Sequence, residues 1–388
     1  MRRFILLCFL FTSLSQVAQE KETDNAQNTS KFIEGVNPFL SYVSIGAASV
    51  SGGLEHTTRY AGQLYTGLQL DFEKILGWEG FRGKISMINR HGKGLSNEVG
   101  SVFEPLNLVG GQSTFLYDLS VEKDFGDKFS WKAGRTTSVD DFSVSKLYFY
   151  SLNNTVNGVI RALLLDGLTT TFPFATWGTR LKYRPTTEHQ LQLGVYQLSK
   201  TVFDETRHGL DFSFRDTDDL SVFFQYDWLG KIMGYKSRVY VGANQVFGNL
   251  TTLDVSDTSS YFLRLYGHID LDWNENLNSF LTFAYSPHGE IAKVPYQSSF
   301  GLNWKGPFNA RDEDRILFFA TVGTFSDEWV ALQGYDSLSA EVVLELGYRF
   351  QITDYLVLQP AIQYDITPGG LGTIDNAFIP GVWLEANF

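Results

Sequence analysis

From about residue 40 onward, apolar and polar side chains alternate with period two, run after run, each run closed by a polar or glycine-bearing stretch. That is the repeat of a β-strand, whose successive side chains point to opposite faces. The runs are 40–50, 62–72, 83–91, 112–123, 128–136, 176–184, 189–198 and 220–228, then 237–247, 260–272, 278–285, 296–304, 315–323, 340–350, 354–366 and 377–388. They predict sixteen strands. Connections at 124–127, 185–188, 274–277 and 351–353 are short, whereas those at 92–111, 137–175, 199–219, 248–259, 286–295, 324–339 and 367–376 are longer. Short periplasmic turns alternating with long external loops are the pattern of a membrane β-barrel, and an even count leaves both termini on one side.

Individual runs sharpen this. In 177–184, Trp177, Thr179, Leu181 and Tyr183 share one face, and Gly178, Arg180, Lys182 and Arg184 the other. In 261–272, Leu263, Leu265, Ile269 and Leu271 oppose Arg264, Tyr266, His268, Asp270 and Asp272. In 115–123, Tyr117, Leu119 and Val121 are expected to oppose Asp118, Ser120 and Glu122. A charge facing lipid at mid-membrane costs about 2–4 kcal/mol, so these polar faces are expected to line an aqueous lumen. The last run places Phe378, Pro380, Val382, Leu384, Ala386 and Phe388 on one face. It reads as the closing strand of an outer-membrane barrel, with Phe388 the terminal aromatic met by the barrel-assembly machinery.

Composition changes the picture in three ways. Arg2 and Arg3 precede an apolar stretch from Phe4 to Leu14, with Ser15 and Ala18 after it, the layout of a cleaved export signal at 1–18. A flexible leader is expected over 19–37 and the barrel over 38–388. No later stretch is apolar for long enough to make a transmembrane helix. The only cysteine is Cys8, inside the signal, so no disulfide is expected in the mature chain. The net charge of −12 argues against nucleic acid as a partner. With 32 Phe, 19 Tyr and 8 Trp, the chain has the aromatic wealth of a barrel with interfacial girdles.

Candidate chemistry is sparse. His91 and Ser96 lie close in sequence, with Asp118 elsewhere, but a nucleophilic triad needs a geometry that spacing does not supply. Six scattered histidines offer no metal-ligand spacing, and no glycine-rich phosphate loop follows a strand. No cofactor or metal is expected. Functional groups are expected on the lumen face, with Arg90, Asp118, Glu122, Arg135, Arg180, Lys182 and Arg264 as candidate pore-lining or sugar-contact residues. Arg184, Asp270, Glu345 and Arg349 add charge to that face, and Tyr266 or Trp383 could stack on a sugar ring.

Several stretches together resemble the OprB-type carbohydrate-selective porin family. They are Gly77-Trp78-Glu79-Gly80, Asn89-Arg90-His91-Gly92 with Leu95-Ser96, Leu116-Tyr117-Asp118-Leu119, Lys132-Ala133-Gly134-Arg135, Leu181-Lys182-Tyr183-Arg184-Pro185 and the run from Leu358 to Tyr364. The resemblance implies a sixteen-stranded channel for passive sugar diffusion in the bacterial outer membrane, with mono- or oligosaccharides and outer-membrane lipid as partners and homo-oligomerisation open. One departure is the long 137–175 connection, whose 155–168 portion is apolar enough for a short helix and, by analogy with porins, could fold inward as a constriction. A general or anion-preferring porin, a barrel hydrolase and an adhesive surface barrel remain as alternatives.

Overall fold

The computed structural model describes residues 34–388; the expected export signal and residues 19–33 of the expected leader lie outside the described residues. Sixteen strands close into one antiparallel barrel: β1 (Val36–Ala48), β2 (Thr58–Asp71), β3 (Phe81–Gly92), β4 (Thr114–Phe125), β5 (Phe129–Thr136), β6 (Thr176–Tyr183), β7 (His189–Leu198), β8 (Asp219–Ile232), β9 (Tyr235–Thr251), β10 (Thr258–Asp272), β11 (Leu277–Tyr285), β12 (Tyr296–Lys305), β13 (Arg315–Thr324), β14 (Glu341–Thr353), β15 (Leu356–Ile366) and β16 (Ala377–Asn387). Every strand pairs with its sequence neighbours. β16 returns to β1 through Ser41↔Asn387 to Ala47↔Gly381. The Phe388 N–H donates to the Leu40 carbonyl at 2.9 Å, so the final aromatic belongs to the closing seam. Closure leaves no free sheet edge, the condition that lipid imposes on a spanning sheet.

The outer wall is apolar because the strands alternate. Leu181, Leu193, Phe224, Val241, Leu265, Leu281 and Phe283 are between 42 % and 54 % exposed, while their strand neighbours are covered. All sixteen expected strands are present, and four details differ from expectation. The barrel takes Val36 and Asn37, which the pattern left in the leader. β8 and β9 run on to a two-residue turn, Met233-Gly234, with φ of 53° and 90°, the positive pair that a tight hairpin demands. Between β2 and β3 a one-turn helix, α1 (Phe72–Leu76), is capped by Asp71, whose Oδ1 accepts from Glu73 N at 3.1 Å and Lys74 N at 3.3 Å. The pairing of β3 with β4 passes from Ser86↔Asp118 to Met87↔Leu116, a bulge that leaves Tyr117 unpaired. Tyr117 therefore turns inward beside Asp118 and is 2 % exposed, not outward with Leu119 and Val121 as strict alternation had it.

The 137–175 connection lies inside the barrel. No α-helix forms over 155–168; a single 3₁₀ turn, Arg161–Leu163, stands there. Some backbone groups of the segment bond to wall side chains instead of to one another. Ser143 N donates to Gln225 Oε1 (2.9 Å), and Ala162 N donates to Gln297 Oε1 (2.7 Å) while Gln297 Nε2 donates to Thr155 O (2.8 Å). Its apolar residues, among them Phe142, Val159, Ile160 and Leu163, pack on Tyr196, Phe223, Tyr240 and Tyr266 of the inner wall.

Candidate translocation pathway

Inside the barrel lies a cavity of about 620 Å³. The 93–113 and 137–175 connections bound it on one side, and the inner faces of β1–β3, β14 and β16 on the other. The two connections are joined: Glu104 N donates to Asn154 Oδ1 (2.9 Å), and Asn154 N donates to Glu104 O (3.0 Å). The Glu104 carboxylate accepts from the N–H groups of Leu95, Leu106 and Ser96 at 2.8, 3.1 and 3.1 Å, which folds 93–113 around it.

Polar side chains of the wall hold the inner connection in place. The Glu345 carboxylate accepts from Ser151 Oγ (3.0 Å), Leu152 N (2.8 Å) and Asn153 N (2.9 Å). Tyr148 Oη meets Tyr240 Oη at 3.1 Å and His268 Nδ1 at 2.7 Å. Asp141 pairs with Lys132 (3.0 Å) and Arg180 (3.2 Å). Burial alone would raise the Asp141 carboxyl, but Lys132 and Arg180 outweigh it and hold the group below its usual value.

The cavity lining carries four cations, Lys84, Arg90, Arg161 and Arg349, against the acids Asp140 and Glu385. Arg90 is aimed inward by the alternation of β3. Its Nε donates to Gln63 Oε1 (2.9 Å), its Nη1 to Gly110 O (3.0 Å), and its guanidinium stands 4.9 Å from the Phe172 ring centre. Arg161, on the 3₁₀ turn of the inner connection, is different. Its Nε is buried without a hydrogen-bond partner. Burial pulls its guanidinium below the ordinary value, against the pull of Glu104. Arg349 is tied to Glu385 at 2.6 Å and stands over the Tyr150 ring. Asn107 and Asn157 both donate to the Ser151 carbonyl (2.8 and 2.7 Å), which leaves their side-chain oxygens as acceptors. Tyr65, Phe149, Phe172 and Trp383 supply ring faces.

Of the candidates expected from the sequence, Arg90 lines this cavity, as do Arg349 and Trp383. Asp118, Glu122, Arg180, Lys182 and Arg264 face inward but are not part of its lining. Asp118 accepts from Ser120 Oγ (2.6 Å), and Glu122 accepts from Ser130 Oγ (2.6 Å) and Arg180 Nη2 (2.8 Å). Arg180, 2 % exposed, bridges Glu122 and Asp141, with Lys182 two residues along the same face. Arg264 pairs with Asp166 and donates to Leu163 O at 2.7 Å. These charges fasten wall to wall or wall to inner connection.

Arg135 is a clear correction. It pairs with Leu119 on one side and Trp177 on the other, both outward-facing, so it sits on the outer face of β5 rather than in the lumen. His91 and Asp118, weighed for the hydrolase alternative, are not brought together. His91 faces the outer rim near Tyr42 Oη (3.4 Å), while Asp118 is committed to Ser120 on the inner face. Lys84, Gln63, Asn107, Asn157 and Arg161 line the cavity and were not singled out in the sequence. Parity with Arg90 could have found Lys84, six residues away on the same strand face.

A closed sixteen-strand barrel whose lumen is narrowed by an inward-folded connection is a porin. The chain belongs to the carbohydrate-selective porin, OprB family, which it matches over residues 55–388. It is 25 % identical over 401 residues to porin B of Pseudomonas aeruginosa, covering 90 % of this chain and 87 % of that one. The high-pH structure of Pseudomonas putida OprB superposes with a TM-score of 0.84 at 22 % identity, covering 91 % of this chain and 94 % of that chain. The low-pH structure of Pseudomonas putida OprB gives 0.57 at 19 % identity, with 91 % and 93 % covered. The protein is a sugar-selective porin of the bacterial outer membrane, a channel in kind.

Proposed function

We propose that sugars cross by passive diffusion through the 620 Å³ cavity, contacted by Arg90 and Arg161 from opposite sides. The observation that carries this is Arg161 on the inner connection, which lines the cavity without a carboxylate partner while the guanidinium groups of Arg90 and Arg349 are already bonded. A guanidinium without a carboxylate partner is a ready donor to sugar hydroxyls. The acceptor oxygens of Asn107 and Asn157 complement it, and Trp383 or Tyr65 offers an apolar ring face to the sugar's C–H face. The volume falls within the roughly 300–1,000 Å³ of small-molecule sites. No chemical step is involved; selectivity comes from width, hydrogen bonds and charge. Export by the 1–18 segment and recognition of Phe388 by the assembly machinery belong to the same reading.

The test is planar-bilayer conductance with rising concentrations of neutral sugars. Saturable block of the ion current supports the reading. A current that falls only in proportion to solution viscosity opposes it. The four cations against two acids favour one second reading, a general pore that prefers anions. Anion-biased reversal potentials without sugar block would select it.

A further inference from the structure

The β7–β8 connection behaves unlike the inner one. β5 and β6 are the shortest strands, eight residues each. At about 3.3 Å per residue and a tilt near 40°, such strands rise only ~20 Å, short of the ~25 Å apolar band of an outer-membrane barrel. The wall is low here on its long-loop side. Above that low point, the chain turns at His208 and Gly209, both at positive φ, and residues 210–215 lie against the outside of the barrel.

Three contacts seat the segment. The Leu116 N–H, left without a β5 partner, donates to His208 O at 2.9 Å. Gly209, at φ +69°, lies so close on β4 that a Cβ would stand 2.5 Å from the Leu116 carbonyl oxygen. Trp177 Nε1, on the outer face of β6, donates to Phe212 O at 3.0 Å, and its ring stacks on Phe214 at 6.0 Å. Leu210, Phe212 and Phe214 are 58 %, 40 % and 72 % exposed, whereas Asp211 bonds to Arg215 and Thr201 (2.6 and 2.7 Å). Beneath it lies Arg135. Its Nη1 donates to Asp211 O and its Nη2 to Ala175 O, both at 2.7 Å, and the Phe212 ring covers it at 4.9 Å, leaving it 3 % exposed. An outward-facing arginine in an apolar wall is costly unless covered and bonded.

We propose that residues 208–215 are a surrogate wall segment seated in the hydrocarbon of the outer leaflet, with lipid acyl chains as the partner of Leu210, Phe212 and Phe214. The exposed row Leu220, Phe247 and Tyr261, paired side by side at the same end of β8, β9 and β10, is the lipid-facing surface that it continues.

Site-directed spin labelling of the full chain in liposomes tests this, in a Cys8→Ser background. A nitroxide on Phe214→Cys should collide with oxygen and escape a water-soluble nickel chelate to the same degree as one on Phe224→Cys of the outer wall. A Ser256→Cys label in the β9–β10 connection should show the opposite. Nickel collisions at Phe214 equal to those at Ser256 would put the segment in water and overturn the proposal. A label shielded from both reagents would mean protein covers the face, a second copy of this chain included, and would overturn lipid as the partner. Gly209→Val should lift the segment and raise nickel collisions at Phe214. A label that stays dry in that variant would contradict the seating on Leu116.

Discussion

At the scale of single residues, the account separates charges that face the solute from charges that hold the protein together. Arg90 and Arg161 belong to the first group, so Arg161→Gln should weaken sugar block without harming assembly. A charge-assisted hydrogen bond contributes about 1.5–3 kcal/mol, which corresponds to roughly a tenfold or greater rise in the half-blocking concentration. Noise analysis of sugar-induced current block reads this directly, and unchanged block would remove Arg161 from the pathway. Arg180 and Arg264 belong to the second group. Replacing either leaves a buried acid, Asp141 or Asp166, without its guanidinium, so the defect should appear as an unsteady channel rather than as altered selectivity. Which group a charge joins was only partly legible. Parity along a strand is in the sequence: Lys132 and Arg135 are three apart and cannot share a face, and Arg135 falls in with Trp131 and Ala133. Read that way, Arg135 would have been placed outside. The Tyr117 bulge had no such signal, because Tyr117-Asp118 alternates normally and only the β3 register displaces it.

At the scale of elements, the central device is the inner connection and its fastenings to the wall. Glu345 accepts three hydrogen bonds from Ser151, Leu152 and Asn153, so Glu345→Ala strands those donors, at about 1–3 kcal/mol for each one left unsatisfied. Expected are a larger single-channel conductance and lost discrimination among sugars of different size, with the barrel intact by circular dichroism. Asp141 makes the fastening pH-dependent. Its folded value is depressed by Lys132 and Arg180, so its contribution is fully present above the unfolded value of about 3.9 and is lost as pH falls through the still lower folded value. Conductance should hold steady from neutral pH to about 4 and become unsteady only below it; Asp141→Asn should be unsteady at all pH values. The sequence showed that 137–175 was long with an apolar 155–168 portion, and its inward folding was expected only by analogy with porins. Its partners, Gln225, Gln297 and Glu345, lie far along the chain on strands whose inward faces look alike. The hairpin at Met233-Gly234 was missed for a local reason: Gly230 interrupts the apolar row just before the turn.

At the scale of the whole molecule, closure is the source of stability, and β16 makes it. The strand count and topology were legible because period two survives across all sixteen runs. The end of the chain pairs with both β15 and β1, and Phe388 itself bonds to Leu40. Deleting Phe388 should therefore lower the amount of protein reaching the outer membrane far more than the amount synthesised, read by membrane fractionation and immunoblotting. Normal levels in the outer membrane would show that the terminal aromatic is dispensable. The claim on which the functional reading rests is that sugar passes between the inner connection and the β1–β3 wall, touching Arg90 and Arg161. The most direct measurement is glucose titration of single-channel current in planar bilayers for the native chain and the Arg90→Ala/Arg161→Ala double variant. Saturable block in the native chain that disappears in a double variant of intact conductance is the expected result. Equal block in both would contradict it, and would place the sugar path elsewhere in the barrel.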